Sequence, residues 1–249
     1  MPVTHRFNLV NRIEASHSYG FVMILVVLTV ILAVAIPDDS PWRSSIAICQ
    51  AVTAVIACWI SEAPKRLFRI VKIAAVVEIL GAVGIGLTDS ASSLPGRTVN
   101  VIGVLLVGWV IIRGITIDIR AEGVRGRAVA GALTIYLLFG TFCGFLYGVE
   151  ESLSSKPMLQ ANNSTVSDDG ATSANMYFSF VTLTTVGYGD LAPASGAARA
   201  TAIFEALVGQ LYLVGVVATL GGALGRGRGD LQRELGSAPA SEPPPSSGP

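Results

Sequence analysis

Apolar residues along this chain come in blocks separated by charge and by proline. The blocks are near the ~20 residues that a helix rising ~1.5 Å per residue needs to cross ~30 Å of hydrocarbon. The pattern predicts six spans, roughly Tyr19 to Ile36, Ser45 to Ile60, Ile70 to Leu87, Val99 to Ile119, Ala128 to Val149 and Ala200 to Leu224. Pro37, Pro41, Pro64 and Pro95 fall between them, where chain breakers belong. Ser45, Gln50 and Thr53 dilute the second span, and Trp59 reads as its interfacial anchor. Ala174 to Asp190, between the fifth and sixth spans, breaks the pattern, being about half a membrane long before its glycines. A half-span helix followed by extended backbone is tolerated at membrane depth only where it lines a wet, protein-walled cavity, because unsatisfied backbone groups in hydrocarbon cost several kcal/mol each. The expectation is therefore an all-α membrane protein of six transmembrane helices, with a re-entrant pore helix and pore-lining loop between the last two.

Composition agrees. Of 249 residues 51% are hydrophobic and 14% charged, which does not fit a water-exposed surface. The 17 basic and 17 acidic residues cancel, so no basic excess points to nucleic acid. Cys49, Cys58 and Cys143 lie in apolar stretches without metal or redox spacing, and His5 and His17 precede the first span. With the amino terminus inside, the cytoplasmic segments hold Arg6, Arg12, Lys65, Arg66, Arg69, Lys72, Arg120, Arg125, Arg127, Arg226, Arg228 and Arg233, against Arg43, Arg97, Lys156 and Arg199 outside. That bias is positive-inside and places both termini in the cytoplasm of a multi-pass cell-membrane protein. Ala33-Val34-Ala35 resembles a signal-peptidase site, and the charge bias by itself leaves cleavage there open. Asp38, Asp39, Asp89, Glu150, Glu151, Asp168 and Asp169 collect outside, where a negative mouth would concentrate cations.

The half-span segment ends in Thr184-Thr185-Val186-Gly187-Tyr188-Gly189-Asp190. This run resembles the signature filter of the potassium channel family, and the likeness to the two-helix bacterial members covers roughly Ala128 to Leu224. Gly187 and Gly189 permit backbone angles that a Cβ would oppose, so that successive carbonyls face one axis. The resemblance implies that Thr185, Val186, Gly187 and Tyr188 supply carbonyls in place of the water shell of K+, with Gly189 completing the filter, in the ring arrangement known for these channels. Since each chain carries one filter and a ring needs four, it implies a homotetramer in lipid, with K+ as the transported ion and no cofactor. Filter support would come from Tyr177, Phe178, Val181, Thr184, Asp190 and Glu205.

Two positions depart from the two-helix channels. Tyr177 and Phe178 replace a tryptophan pair: Tyr177 is a candidate donor to Asp190, while Phe178 cannot hydrogen-bond Tyr188. Val181 replaces a buried glutamate. Glu205, an acid within the sixth span, has two candidate environments, behind the pore helix or against Arg199 of another subunit. Gly209 falls where that family has its gating glycine, and reads equally as a hinge or as a close-packing contact. Gly140, Gly144 and Gly148 form a small-residue stripe suited to packing on the sixth span or on the front four spans.

Six spans with a pore between the last two is also the layout of voltage-gated channels, but the fourth span carries only Arg113 and Arg120. One charge crossing ~100 mV is worth ~2.3 kcal/mol, far less than steep gating needs. Weak or absent voltage gating is therefore expected, with Arg113 paired to Glu78 at similar depth. The expected domains are a cytoplasmic amino terminus (1–18), a sensorless four-helix module (19–119), a basic linker (120–127) and a pore domain (128–224). The pore domain divides into outer helix 128–149, outer loop 150–173, pore helix 174–184, filter 185–190 and inner helix 200–224. A largely disordered cytoplasmic tail (225–249) follows, too short for a folded regulatory domain. A potassium-uptake transporter subunit and a ligand-sensing membrane protein are the alternative functions. An intramembrane enzyme lacks residues: there is no Gly-x-Ser-x-Gly and no histidine within a span.

Overall fold

The computed structural model describes residues 4–37, 40–61, 64–86, 94–122, 126–154, 158–161, 164–165 and 171–236, with side chains at 19–37, 40, 42–61, 64–84, 94–117, 129–154, 158–161 and 171–219. Among these residues are seven helices: α1 (Thr4–Ala35), α2 (Ser44–Ile60), α3 (Lys65–Gly86), α4 (Leu94–Glu122), α5 (Gly126–Leu153), α6 (Ala171–Leu183) and α7 (Gly196–Gly236). Leu94–Ile117, Val129–Leu153 and Gly196–Thr219 are long and apolar enough to cross a membrane, and Tyr19–Ala35 and Ser44–Ile60 are shorter apolar helices. α3 is in neither group, its first half being charged with Lys65, Arg66, Arg69 and Lys72.

Local chemistry accounts for the breaks. The hydroxyl of Ser40 accepts from Trp42 N–H at 3.3 Å and caps a short 3-10 turn, Pro41–Arg43, that leads into α2. The Arg43 guanidinium reaches back to the Ile36 carbonyl at 2.5 Å, satisfying the end of α1. At the head of α7 the hydroxyl of Ser195 accepts from Ala198 N–H at 3.0 Å.

The expectation of an all-α chain needs correction at the outer loop. β1 (Leu159–Ala161) lies between β2 (Ser164–Thr165) and β3 (Leu191–Pro193) in an antiparallel sheet of order β2-β1-β3, with Gln160 opposite Ala192. The strands are too short to carry a sequence period, yet β3 begins just after Asp190, so the sheet clamps the exit of the glycine loop. At the carboxyl end, the tail expected from residue 225 begins as helix, because α7 continues to Gly236 through the good helix formers Leu231-Gln232-Arg233-Glu234-Leu235. Residues beyond 236 lie outside the described part, as do the side chains of Arg120, Arg125, Asp168 and Asp169.

One core joins the front helices to α5 and α6. Val22 and Val26 of α1, Ile46 and Ala54 of α2, Val107 and Ile111 of α4, Phe145 of α5 and Met176 of α6 are buried in one cluster. Ala47, Ala51, Ala54 and Ala57 line the buried side of α2, small enough for close helix approach. A second cluster of Cys143, Tyr147, Met158, Leu159, Phe178 and Ala198 ties α5, α6 and α7 to β1. α7 is the exception: Ile203, Phe204, Leu207, Leu211, Val214 and Val217 are each at least 54% exposed.

Candidate functional site

α6 sits against α5 because α5 has no side chains in the way. A Cβ on Gly140 would come within 2.8 Å of Leu183, and one on Gly144 within 2.7 Å of the Met176 sulfur and 3.1 Å of the Met176 Cα. One on Gly148 would meet Arg97 at 3.3 Å and Asn175 at 3.7 Å. The glycine stripe thus faces α6, with α4 joining at Gly148, and not α7 as the sequence reading allowed.

The end of α6 is built by hydrogen bonds. Thr185 N–H donates to the Thr182 carbonyl at 3.0 Å, and Val186 N–H to the Val181 carbonyl at 3.0 Å. With Thr185 at φ 60° this is a Schellman termination in which threonine holds the left-handed position normally given to glycine. A left-handed residue with a Cβ is strained by about 1–2 kcal/mol. Gly187 (φ 56°) and Gly189 (φ 77°) follow, so every second residue from 185 to 189 is left-handed. The Tyr136 hydroxyl donates to the Leu183 carbonyl at 2.8 Å, and the Thr184 hydroxyl to the Phe180 carbonyl at 2.6 Å.

Behind this loop lies a polar cluster that sequence reasoning only half found. Glu205 of α7 is fully buried, and its carboxyl accepts from the Tyr147 hydroxyl of α5 at 2.9 Å and, through a short bond, from the Ser179 hydroxyl of α6. The first of its two candidate environments is the one observed. Arg199 is exposed and its Nε donates to the Pro193 carbonyl at 3.4 Å. Phe178 packs edge-on against the Tyr147 ring, centroids 5.4 Å apart. Tyr177 donates to Asp190 at 2.9 Å, tying the middle of α6 to the far end of the loop. Tyr136, Tyr147 and Ser179 were missed, although a phenol in an apolar span needs a partner for its hydroxyl and could have flagged the first two.

The amino-terminal end of α6 is tied to its neighbours. Arg97 of α4 donates to the Gly148 carbonyl at 2.6 Å and to Glu151 at 2.9 Å, and Asn175 reaches the same Glu151 oxygen at 3.5 Å. The Ser173 hydroxyl donates to the Val34 carbonyl of α1 at 2.9 Å. Glu150 accepts from Thr201 at 2.5 Å.

One expectation changes. Glu78 and Arg113 form no ion pair: Arg113 is exposed on α4, while Glu78 is buried against Gly103, ten residues away and about 15 Å along the helix. Similar depth in two apolar runs does not fix the facing of their side chains, and α3 and α4 extend beyond those runs, from Lys65 and to Glu122. Gly209 is buried in a continuous α7, where a Cβ would collide with the Leu183 side chain, so the close-packing contact is what the fold displays.

Residues 131–226 match the family model of ion channels. The matched stretch runs from α5 through α6 and the glycine loop into α7, and leaves the four front helices outside it. No curated protein and no solved structure matches the chain above chance. The channel segment therefore coincides with the part of the fold organised around α6 and its loop.

Proposed function

We propose that the protein is a potassium-selective channel, a homotetramer of six-span subunits in the cell membrane with both termini cytoplasmic, conducting through a ring of backbone carbonyls. The observation that carries this reading is the alternation of left-handed residues at Thr185, Gly187 and Gly189. In an ordinary strand successive carbonyls alternate sides; reversing the hand at every second residue turns them toward one side, as a filter wall requires. K+ would meet the carbonyls of Thr185, Val186, Gly187 and Tyr188.

Two further features support an assembly of copies around this loop. Val186 and Tyr188, which should pack a filter's outer wall, are 52% and 71% exposed in their own chain. The apolar face of α7 is equally uncovered, and facing lipid, a central cavity or sibling helices suits it where water does not. The polar cluster at Glu205 and the Tyr177 to Asp190 bond brace the filter from behind, in the place of the tryptophan pair and glutamate of the two-helix channels. Voltage sensing is weak or absent, because Arg113 is the one basic residue of α4 between Arg97, bound at its outer end, and Arg120.

Purified protein in liposomes tests the reading: potassium flux exceeds sodium flux and is blocked by barium, with a shallow conductance-voltage curve in symmetric potassium. Equal sodium flux defeats the selectivity, and a steep curve defeats the account of the front helices.

A further inference from the structure

The front helices contain a second buried polar site, unrelated to the filter. Glu78 of α3 and Gln50 of α2 are 7% and 3% exposed, and Glu78 Oε1, Gln50 Oε1 and Gln50 Nε2 have no hydrogen-bond partner among the described residues. They meet in the notch that Gly103 leaves on α4. A Cβ there would collide with Glu78 Oε1 and stand 2.9 Å from Gln50 Oε1. Two acceptor oxygens thus converge, out of water, on one point.

We propose that Glu78 is a proton-binding site in the front module, its carboxyl holding a proton that it donates to the Gln50 amide oxygen. Two facing acceptors repel unless a hydrogen or a cation lies between them, and a buried carboxylate without a countercharge is costly. The charges around the site do not supply one. α2 carries no acidic or basic residue, its titratable groups being the thiols of Cys49 and Cys58, and Cys49 is engaged with Thr29. On α3 the nearest described cation is Lys72, which lies over the Phe68 ring. On α4, Arg97 is bound to Glu151, and Arg113 is about 15 Å away along the helix. Two side-chain oxygens are also too few to replace the shell of a metal ion, and no cluster of three or more His, Cys, Asp or Glu occurs among the described residues.

The rest of the Gln50 environment accounts for its other end. Gln50, Thr29, Thr53 and Thr141 share with Val26, Val104, Val107 and Leu138 the lining of a cavity of about 10 Å³. The three threonine hydroxyls already donate to the carbonyls of Leu25, Cys49 and Leu137, which leaves their oxygens as acceptors. Acceptors on that side suit the amide orientation that turns Nε2 toward the cavity and leaves the amide oxygen for the Glu78 proton. Losing that proton at alkaline pH puts a bare charge where α2, α3 and α4 meet, so the stabilisation is present at low pH and disappears as pH rises through the titration of Glu78.

Infrared difference spectra of the full chain in liposomes test this whether or not the pore conducts. Subtracting Glu78→Gln from wild type at neutral pH should leave a protonated-carboxyl C=O band that shifts in Gln50→Leu, persists in Glu205→Gln, and vanishes at alkaline pH. Over the same pH range the melting temperature of wild type should fall relative to Glu78→Gln. Ionised-carboxylate bands at neutral pH, meaning that the amide is turned over to donate Nε2 to a charged Glu78, would overturn the proposal. So would a band that responds to sodium or potassium in place of pH, or a melting difference that does not change with pH.

Discussion

Removing one oxygen, in Tyr147→Phe, isolates the brace behind the glycine loop. The ring is fully buried, and its edge-on contact with Phe178 at 5.4 Å does not involve the hydroxyl, so packing is preserved. What disappears is the 2.9 Å bond to Glu205, which is itself 0% exposed and keeps only Ser179. Deleting one partner of a buried bond to an acidic group costs about 1–3 kcal/mol, since no water replaces it. If that energy falls on the equilibrium between conducting and collapsed filters, it shifts open probability by roughly 5–150-fold per subunit. Single-channel recording in planar bilayers reads the shift, and melting of the purified assembly reads the structural share. Tyr212→Phe is the control: its hydroxyl bonds the Ala132 carbonyl at 2.8 Å, away from Glu205, and costs about 0.5–1.5 kcal/mol without a change in open probability. Wild-type gating and wild-type melting in Tyr147→Phe would refute the brace.

Three other substitutions test separate parts of the argument. Gly144→Ala forces a Cβ to 3.1 Å from the Met176 backbone, so α5 and α6 must separate, and the melting temperature should drop by an amount matching about 1–3 kcal/mol of overpacking. Gly189→Ala places a Cβ at φ 77°, a strain of about 1–2 kcal/mol, and should abolish selective potassium flux while leaving membrane insertion and yield unchanged. Arg97→Ala strands Glu151 and the Gly148 carbonyl at the amino-terminal end of α6; a loss of about 1–3 kcal/mol in stability is expected, and recovery of melting in Arg97→Ala/Glu151→Gln would show that the stranded charge is the cause.

Much of the layout was legible in the chain because hydrocarbon imposes a length and a composition that a sequence displays directly. The apolar blocks and the half-length segment before Thr184 are local properties, and helices lie over them, while Pro37 and Pro64 fall between helices. The glycines of the loop were legible for the same reason: a left-handed backbone is a demand made at one residue, and Gly187 and Gly189 meet it.

Pairings between distant side chains were not legible, since nothing in the identity of one residue states the depth or facing of another. Depth along the spans pairs Glu78 with Arg113, whereas the fold turns it to Gly103 and Gln50. Glu205 was singled out as an unpaired acid, but its partners Tyr147 and Ser179 lie 58 and 26 residues away, and only the convergence of α5, α6 and α7 brings them together. The short sheet has the same character, because β1 and β3 become strands only by meeting each other. The sequence by itself determined which segments suit hydrocarbon and that the backbone can turn left-handed at Gly187 and Gly189, because each is decided by a residue and its immediate neighbours; Thr185 carries no such signal and is held left-handed by the end of α6. Tertiary structure alone decided which polar groups share the interior, because a buried hydrogen bond depends on two helices arriving at one depth and one face together.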